Sequence, residues 1–243
     1  MDKKRPFWTP WPITTPKSMR HGITEVAEYR RTKNLVLNCT QLSGPASRQR
    51  RIVDEWIEFL RRPSPIRTLL VVTRCPERLF EALCNQHPLT ALGIKWGPIQ
   101  DLSPISQLKE LERLDLGSCS IEDLSPLSAL TKLEHLSLEN LDRLSDYSAL
   151  GKLKKLLYLR IEGAVFMPKK VWIDDLQFLR SLRNLRGLSI AAARFRDPGW
   201  AASFEGLDHL EYLDLPRTDE EDREQLLKSL PNLRHGNVAN PRQ

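Results

Sequence analysis

The sequence predicts an α/β solenoid, a curved stack of short repeats that each add one parallel strand. The pattern Leu-x-x-Leu-x-Leu recurs seven times, at spacings of 22 to 29 residues. Its positions one, four and six are apolar, so each copy has an apolar edge that it cannot bury without a neighbour. The anchors are Ile66/Leu69/Val71, Leu89/Leu92/Ile94, Leu111/Leu114/Leu116, Leu133/Leu136/Leu138, Leu156/Leu159/Ile161, Leu185/Leu188/Ile190 and Leu210/Leu213/Leu215.

A second motif connects the strands of the most regular copies. Residues Ile99–Ile105 read I-Q-D-L-S-P-I, and Ile121–Leu127 read I-E-D-L-S-P-L. Ser or Asp would cap a tight turn there, and Pro would open a short 3₁₀ piece. This motif resembles that of the short leucine-rich repeats of the internalin and SDS22-like type. The resemblance covers residues 66–234 and implies a horseshoe with its strands on the concave side. Leu144–Leu150 departs from the motif because it lacks the proline.

Composition and periodicity divide the chain into four segments. The first is rich in Pro, Trp, Lys and Arg, and its four prolines exclude a helix. We expect an extended arm that either packs on the first repeat through Trp8 and Trp11 or becomes ordered on a partner. The segments are 1–22, the arm; 23–65, an N-terminal cap; 66–234, about seven repeats; and 235–243, a tail that frays after Asn237.

Three helices and one further strand are predicted outside the repeated pattern. Arg51–Leu60 carries an apolar stripe at helical spacing and would form the cap that a solenoid end needs. Pro76–Leu83 is predicted as a helix on the convex side and Glu220–Leu230 as the last helix. Thr32–Asn38 has the alternation of a strand.

The charge is uneven along the chain. Residues 1–88 contain 16 Lys and Arg against 8 Asp and Glu, whereas residues 89–243 contain 21 against 23. A basic N-terminal third can attract nucleic acid, an anionic surface or an acidic protein. It can equally be a solvated face that keeps the protein soluble.

The four cysteines lack any paired spacing, and no apolar run approaches the roughly 20 residues that span a bilayer. The basic first residues are followed by Trp-Pro and Thr-Pro steps and not by an apolar stretch, so no secretory signal is predicted. Free thiols and a cytoplasmic location are therefore expected.

No catalytic or metal-binding motif is present. The chain has no phosphate-binding glycine loop, no HExxH and no GxSxG, and its five histidines are scattered. We therefore expect no enzyme activity, no metal and no cofactor.

The best candidate site is the concave face, toward which positions three, five, seven and eight of each repeat point. Tyr, Trp and Arg dominate binding hot spots, and this face is rich in them. Ion pairs within the face, such as Arg160 with Glu139 and Glu162, are the alternative use of its charges. The predicted partner-binding residues are Trp96, Arg113, Asp115, His135, Glu139, Tyr158, Arg160, Glu162, Tyr212 and Arg217.

Two insertions form a second candidate. About seven extra residues near 164–174 and three near 194–200 should be loops that mix aromatics with cations, as interface loops do. Phe166, Trp172 and Phe195 could instead fill the core of the longer repeats. The secondary contact residues are Phe166, Lys169, Lys170, Trp172, Arg194, Arg196 and Trp200.

Taken together, these features predict a non-catalytic module, monomeric alone, that binds another protein. An inhibitor, for example an immunity protein, or an adaptor is the specific form, by analogy with compact repeat inhibitors. A binder of nucleic acid or an anionic surface through the basic third is the alternative. A delivered bacterial effector is a further one.

Overall fold

The structure is a computed structural model that describes residues 22–163 and 170–240. Within these ranges one parallel sheet runs through the molecule in the order β1-β2-β3-β4-β5-β6-β8-β10, and a second pairs β7 with β9. The strands are β1 (Asn34–Leu37), β2 (Thr68–Arg74), β3 (Ala91–Trp96), β4 (Arg113–Gly117), β5 (His135–Glu139), β6 (Tyr158–Glu162), β7 (Val171–Ile173), β8 (Gly187–Ala191), β9 (Ala193–Phe195) and β10 (Tyr212–Asp214).

The predicted leucine pattern forms the core. Equivalent positions of neighbouring strands pair in register, as Leu114 does with Leu136 and Leu136 with Leu159. All 21 anchor residues are buried, none more than 3% exposed. The inward side of the sheet is therefore a continuous apolar ladder, and the predicted fold class is confirmed. The opposite side of this sheet, which carries positions three, five and seven, is called the concave face below.

Short 3₁₀ helices return the chain from one strand to the next. Before each of these helices an aspartate accepts a hydrogen bond from the backbone N–H two residues further along the chain, and Asp146 does so although its repeat lacks the proline. The same bond is made at 2.7–2.9 Å by Asp101, Asp123, Asp175 and Asp197. The helices are Ser103–Gln107, Ser125–Ala129, Ser148–Lys152, Gln177–Ser181 and Trp200–Phe204.

The predicted cap helix and strand are both present at the N-terminal end. Helix α1 (Ala46–Leu60) begins five residues earlier than its apolar stripe, because its first turn is solvent-exposed and has no periodic signal. Trp56 is fully buried, and its indole N–H donates to the Thr24 carbonyl at 2.7 Å. Ile23 pairs with Leu37 of β1, so the cap extends the sheet as well as covering its end. A 3₁₀ turn (Val26–Glu28) lies between Ile23 and β1 along the chain.

The other two helices lie close to their predicted places. Helix α2 spans Glu77–Cys84, with Pro76 at its N-cap, and α3 spans Glu220–Ser229. Asp219 caps α3 by accepting from the Asp222 backbone N–H at 2.9 Å. No helix in the two described ranges has the length and apolarity needed to cross a membrane.

The predicted C-terminal tail is wrong as far as Asn240. The Leu213 N–H donates to the His235 carbonyl at 3.1 Å, and Val238 is only 2% exposed. The side chain of Asn237 bonds both the N–H and the carbonyl of Leu215. This segment therefore closes the last repeat, through polar contacts that have no periodicity in the sequence.

The predicted insertion loops are also corrected. Val171–Ile173 and Ala193–Phe195 are strands that pair with each other in parallel, outside the main sheet. Because two adjacent repeats both carry extra residues, the two insertions can pair with each other as strands. The sequence of either insertion alone does not indicate this pairing. The predicted contacts Phe166 and Lys169 and the arm residues Trp8 and Trp11 lie outside the described residues.

Candidate functional site

The register of the sheet places the predicted columns side by side. Position three runs through Thr68, Ala91, Arg113, His135, Tyr158, Gly187 and Tyr212, and position five through Leu70, Gly93, Asp115, Ser137, Arg160, Ser189 and Asp214. Glu139 and Glu162 pair at position seven. Most of the predicted binding residues thus share one surface. Trp96 closes the end of β3, whereas Arg217 lies beyond β10 and is exposed outside the ladder.

A stacked ring pair occupies the centre of the concave face. The His135 and Tyr158 rings lie 4.7 Å apart with their planes 21° from parallel. Burial, and secondly the guanidinium of Arg113, lower the pKa of His135 to about 4. The imidazole is therefore uncharged at neutral pH. Gly187 separates this pair from Tyr212, whose hydroxyl donates to Asp214.

The charges beside the rings are predominantly acidic. Arg160 donates to Glu162, and the two side chains are only 27% and 12% exposed. Burial is the main cause that raises the pKa of Asp115 to about 6. Glu139 acts in the same direction, and Arg160 opposes both. The alternative of ion pairing within the face is thus correct for Arg160, whose guanidinium is already engaged by Glu162.

A pocket beside these charges is the feature that the sequence analysis missed. It lies over β2–β4, has a volume of about 550 Å³, and is bounded by Leu70, Val72, Gly93 and Trp96. Asp115 and Glu139 stand at its polar side. The sequence does contain a signal for this pocket. Position five is Leu70 and Gly93 on β2 and β3, and it becomes polar from Asp115 onward.

The second sheet displays an aromatic ring within cation–π distance of two arginines. Trp172 of β7 is 42% exposed, and the guanidinium carbons of Arg194 and Arg196 lie 5.5 and 5.4 Å from its ring centre. Arg196 also pairs with Asp174 at 3.1 Å. Lys170, just before β7, is exposed.

Trp200 is a correction to the predicted loop contacts. Its side chain is 8% exposed and packs 4.9 Å from Phe195 and 5.9 Å from Phe204, measured between ring centres. It belongs to the core of the longer repeat, because three rings meet there. Trp172, which could also have filled the core, points to solvent.

The basic N-terminal third carries many of its own counterions. Arg48 and Arg51 pair with Glu25, and Arg61 and Arg62 pair with Glu58. A further pair joins Arg78 of α2 to Asp54 of α1 at 2.5 Å. These pairs offset part of the positive charge in the described residues of this third.

The described residues also hold no metal-binding group of three or more His, Cys, Asp or Glu. All four cysteines are buried free thiols, and burial raises the pKa of Cys39 to about 11 and of Cys119 to about 12. A thiol with a raised pKa is a poor nucleophile. These cysteines therefore act as small apolar core residues.

One parallel strand and one short return per turn, with leucines on the inward ladder, define a leucine-rich repeat solenoid. A family model described as leucine-rich repeats in two copies matches residues 109–150. No curated protein sequence matches the chain significantly. The described part of the chain therefore has the leucine-rich repeat fold, and its repeats are similar to those of the internalins.

Solved structures agree with this fold. Internalin inlF of Listeria monocytogenes superposes with a TM-score of 0.63 at 20% identity, over 90% of this chain and 59% of that one. Internalin C2 of the same organism gives 0.55 at 25% identity, over 75% and 74%. The mouse RP105/MD-1 complex gives 0.56 at 17%, over 84% and 37%. Leucine-rich repeat domains generally mediate protein–protein interactions, and this fold is typically non-catalytic.

Proposed function

We propose that this chain is a non-catalytic module that binds a partner protein on its concave face, as an inhibitor, such as an immunity protein, or as an adaptor. The observation that carries the proposal is the aligned row of rings and charges on β4–β10. In that row Arg113 is exposed, and the stacked His135 and Tyr158 are partly exposed.

The row has the physical properties of a binding hot spot. Aromatic side chains and arginine bury much area and still offer hydrogen bonds. The stack holds Tyr158 in place before binding, so less side-chain entropy is lost on association. Because His135 is neutral at pH 7, the row offers its rings without an extra charge to desolvate.

Two further features support this function over its alternatives. Five of the ten described arginines of the N-terminal third pair with neighbouring carboxylates, which weakens the case for nucleic acid. The buried thiols suit a reducing setting, and we extend the proposal to a cytoplasmic location. Delivery as a bacterial effector would use the same face.

The test is affinity capture from source lysate with wild type and the variant Arg113→Glu/Tyr158→Ala. Arg160 is left intact because it holds Glu162 and lies close to Asp115. We expect one protein partner at both low and physiological salt, and at least a 100-fold loss of affinity in the variant. An unchanged thermal unfolding curve would show that the variant is folded.

The matched control is Lys109→Glu/Lys155→Ala, which changes two exposed residues in the turns before β4 and β6. It should bind as the wild type does. A partner retained by the Arg113/Tyr158 variant would contradict the proposal. Nucleic acid captured at low salt alone would favour the N-terminal third instead, because that binding depends on counterion release.

A further inference from the structure

The pocket over β2–β4 has an apolar wall and an acidic side. Leu70, Val72 and Trp96 form the wall, and Gly93 lies between Leu70 and Asp115 in register. Glycine leaves that position of the face without a side chain, so a cavity remains between the leucine and the carboxylate. Its volume, about 550 Å³, is enough for one long side chain with space for water.

Charge complementarity identifies the kind of group that fits. Asp115 and Glu139 line the pocket on neighbouring strands, and Lys95 is the one cation among its lining residues. Lys95 is exposed to solvent, whereas Asp115 is partly buried. Arg160 lies close to Asp115 but is ion-paired with Glu162, so Asp115 and Glu139 leave an excess of negative charge beside Lys95 and the pocket favours a positive group.

We propose that this pocket receives an arginine side chain of the partner protein, with the guanidinium between Asp115 and Glu139 and the aliphatic stem against Leu70 and Trp96. The inference rests on the proposed concave-face function and names the chemistry that the face recognises. It places the specificity of the face beside the ring stack, because Glu139 and His135 both belong to β5.

Arginine fits better than the other candidates. Its planar guanidinium can bond two carboxylates and stack on an indole ring, whereas the ammonium of lysine is a more strongly hydrated point charge. An apolar side chain would fill the wall but would further desolvate Asp115 without adding an opposite charge. An anion would meet both carboxylates directly.

Binding should also depend on pH. The charged groups around Asp115 are Lys95 on β3, Glu139 on β5, and Arg160 and Glu162 on β6, with Arg113 on its own strand. A guanidinium binds the ionised form of Asp115, whose pKa is about 6. Affinity should therefore fall as the pH drops below about 6, and this dependence should disappear in Asp115→Asn.

The test uses N-acetyl-arginine amide as the probe and N-acetyl-citrulline amide as its neutral isostere. The readout is the indole N–H resonance of Trp96 in the full chain, assigned with Trp96→Phe. We expect the arginine amide to shift this resonance saturably, and at least 10-fold weaker binding in Asp115→Asn or Glu139→Gln. Lys95→Gln should bind 2- to 5-fold more tightly, because a competing cation is removed.

The matched control is Glu112→Gln, which neutralises an exposed carboxylate of the same repeat outside the pocket. It should leave the affinity unchanged. Equal binding of the citrulline amide, or arginine binding that Asp115→Asn does not weaken, would overturn the inference.

Partner capture separates this inference from the function on which it rests. If Arg113→Glu/Tyr158→Ala loses the partner and Asp115→Asn/Glu139→Gln keeps it, the concave-face function stands and the arginine pocket is wrong. If both double variants keep the partner, both proposals fail. Loss in both, together with the arginine-selective shift, supports the pocket.

Discussion

The two halves of the concave face are built from different side chains on the same backbone. Position five is Val36, Leu70 and Gly93 on β1–β3, and it is polar on every later strand of the main sheet, from Asp115 to Asp214. The inward neighbours do not change in this way, since Leu69 and Leu136 are both almost fully buried. The core imposes the same residue type on every repeat, whereas position five on the concave face varies while the fold stays the same. Function is therefore to be sought where the columns differ.

The largest expected effect tests whether the apolar cores beneath the two halves of the concave face contribute equally to the free energy of unfolding. Leu69→Ala and Leu136→Ala should each lower the free energy of unfolding by about 3 kcal/mol, because each leaves a cavity in the same ladder. Leu70→Ala, buried on the concave side, should lower it by about 2 kcal/mol, and Ser137→Ala should stay within about 0.5 kcal/mol. Urea denaturation measures all four. A large difference between the two inward variants would show that the repeats are not equivalent inside.

A smaller effect concerns pH and the polar half alone. The raised pKa of Asp115, about 6 against 3.8, lowers the stability as the pH rises from about 4 to about 6. The lowered pKa of His135, about 4 against 6.5, raises the stability between about pH 4 and 6.5. The two contributions oppose each other over a similar pH range, so they partly cancel in the wild type.

Single variants should reveal the two contributions. Asp115→Asn should become more stable as the pH rises through this range, because the effect of His135 is then unopposed. His135→Phe, which keeps a ring against Tyr158, should become less stable as the pH rises through the same range. The effect of Asp115 is then unopposed. Urea denaturation at pH 4, 5, 6 and 7 is the measurement. Parallel pH profiles for wild type and both variants would contradict the assigned causes.

The smallest expected effect lies outside the main sheet. A double-mutant cycle of Trp172→Leu with Arg194→Met should give a coupling of about 0.5–1 kcal/mol, the usual size for an exposed cation–π pair. The cycle of Trp172→Leu with the distant Lys155→Met should give none. Thermal or urea unfolding measures both cycles. Equal couplings would mean that the Trp172 ring and the guanidinium do not interact.

Most of the fold could be predicted from the sequence because the leucine period is long-range and redundant. Every anchor triplet lies on the inward ladder, and Glu220 begins the last helix as expected. The β7–β9 ladder and the ordered segment at Asn237 could not be predicted in this way. Their contacts join irregular segments of neighbouring repeats through hydrogen bonds, which have no periodic signature.

The candidate site was predictable in position but not in its energetics. Strand alternation placed Tyr158 and His135 on one face, and the register confirms it. Burial and pairing depend on neighbours some 22 residues away, so the raised pKa of Asp115 and the engagement of Arg160 by Glu162 required the structure. The pocket at Gly93 was missed because an absent side chain has no chemical signal.

The order of the main sheet has a consequence for how the chain folds. Each strand pairs with the strand of the next repeat, so Leu114 meets Leu136 and Leu136 meets Leu159 across similar lengths of chain. Closing any of these loops costs a similar and modest entropy. Folding can then begin at several adjacent repeats and spread in both directions, as a zipper does. The described sheet requires no contact between its first and last strands before it can grow.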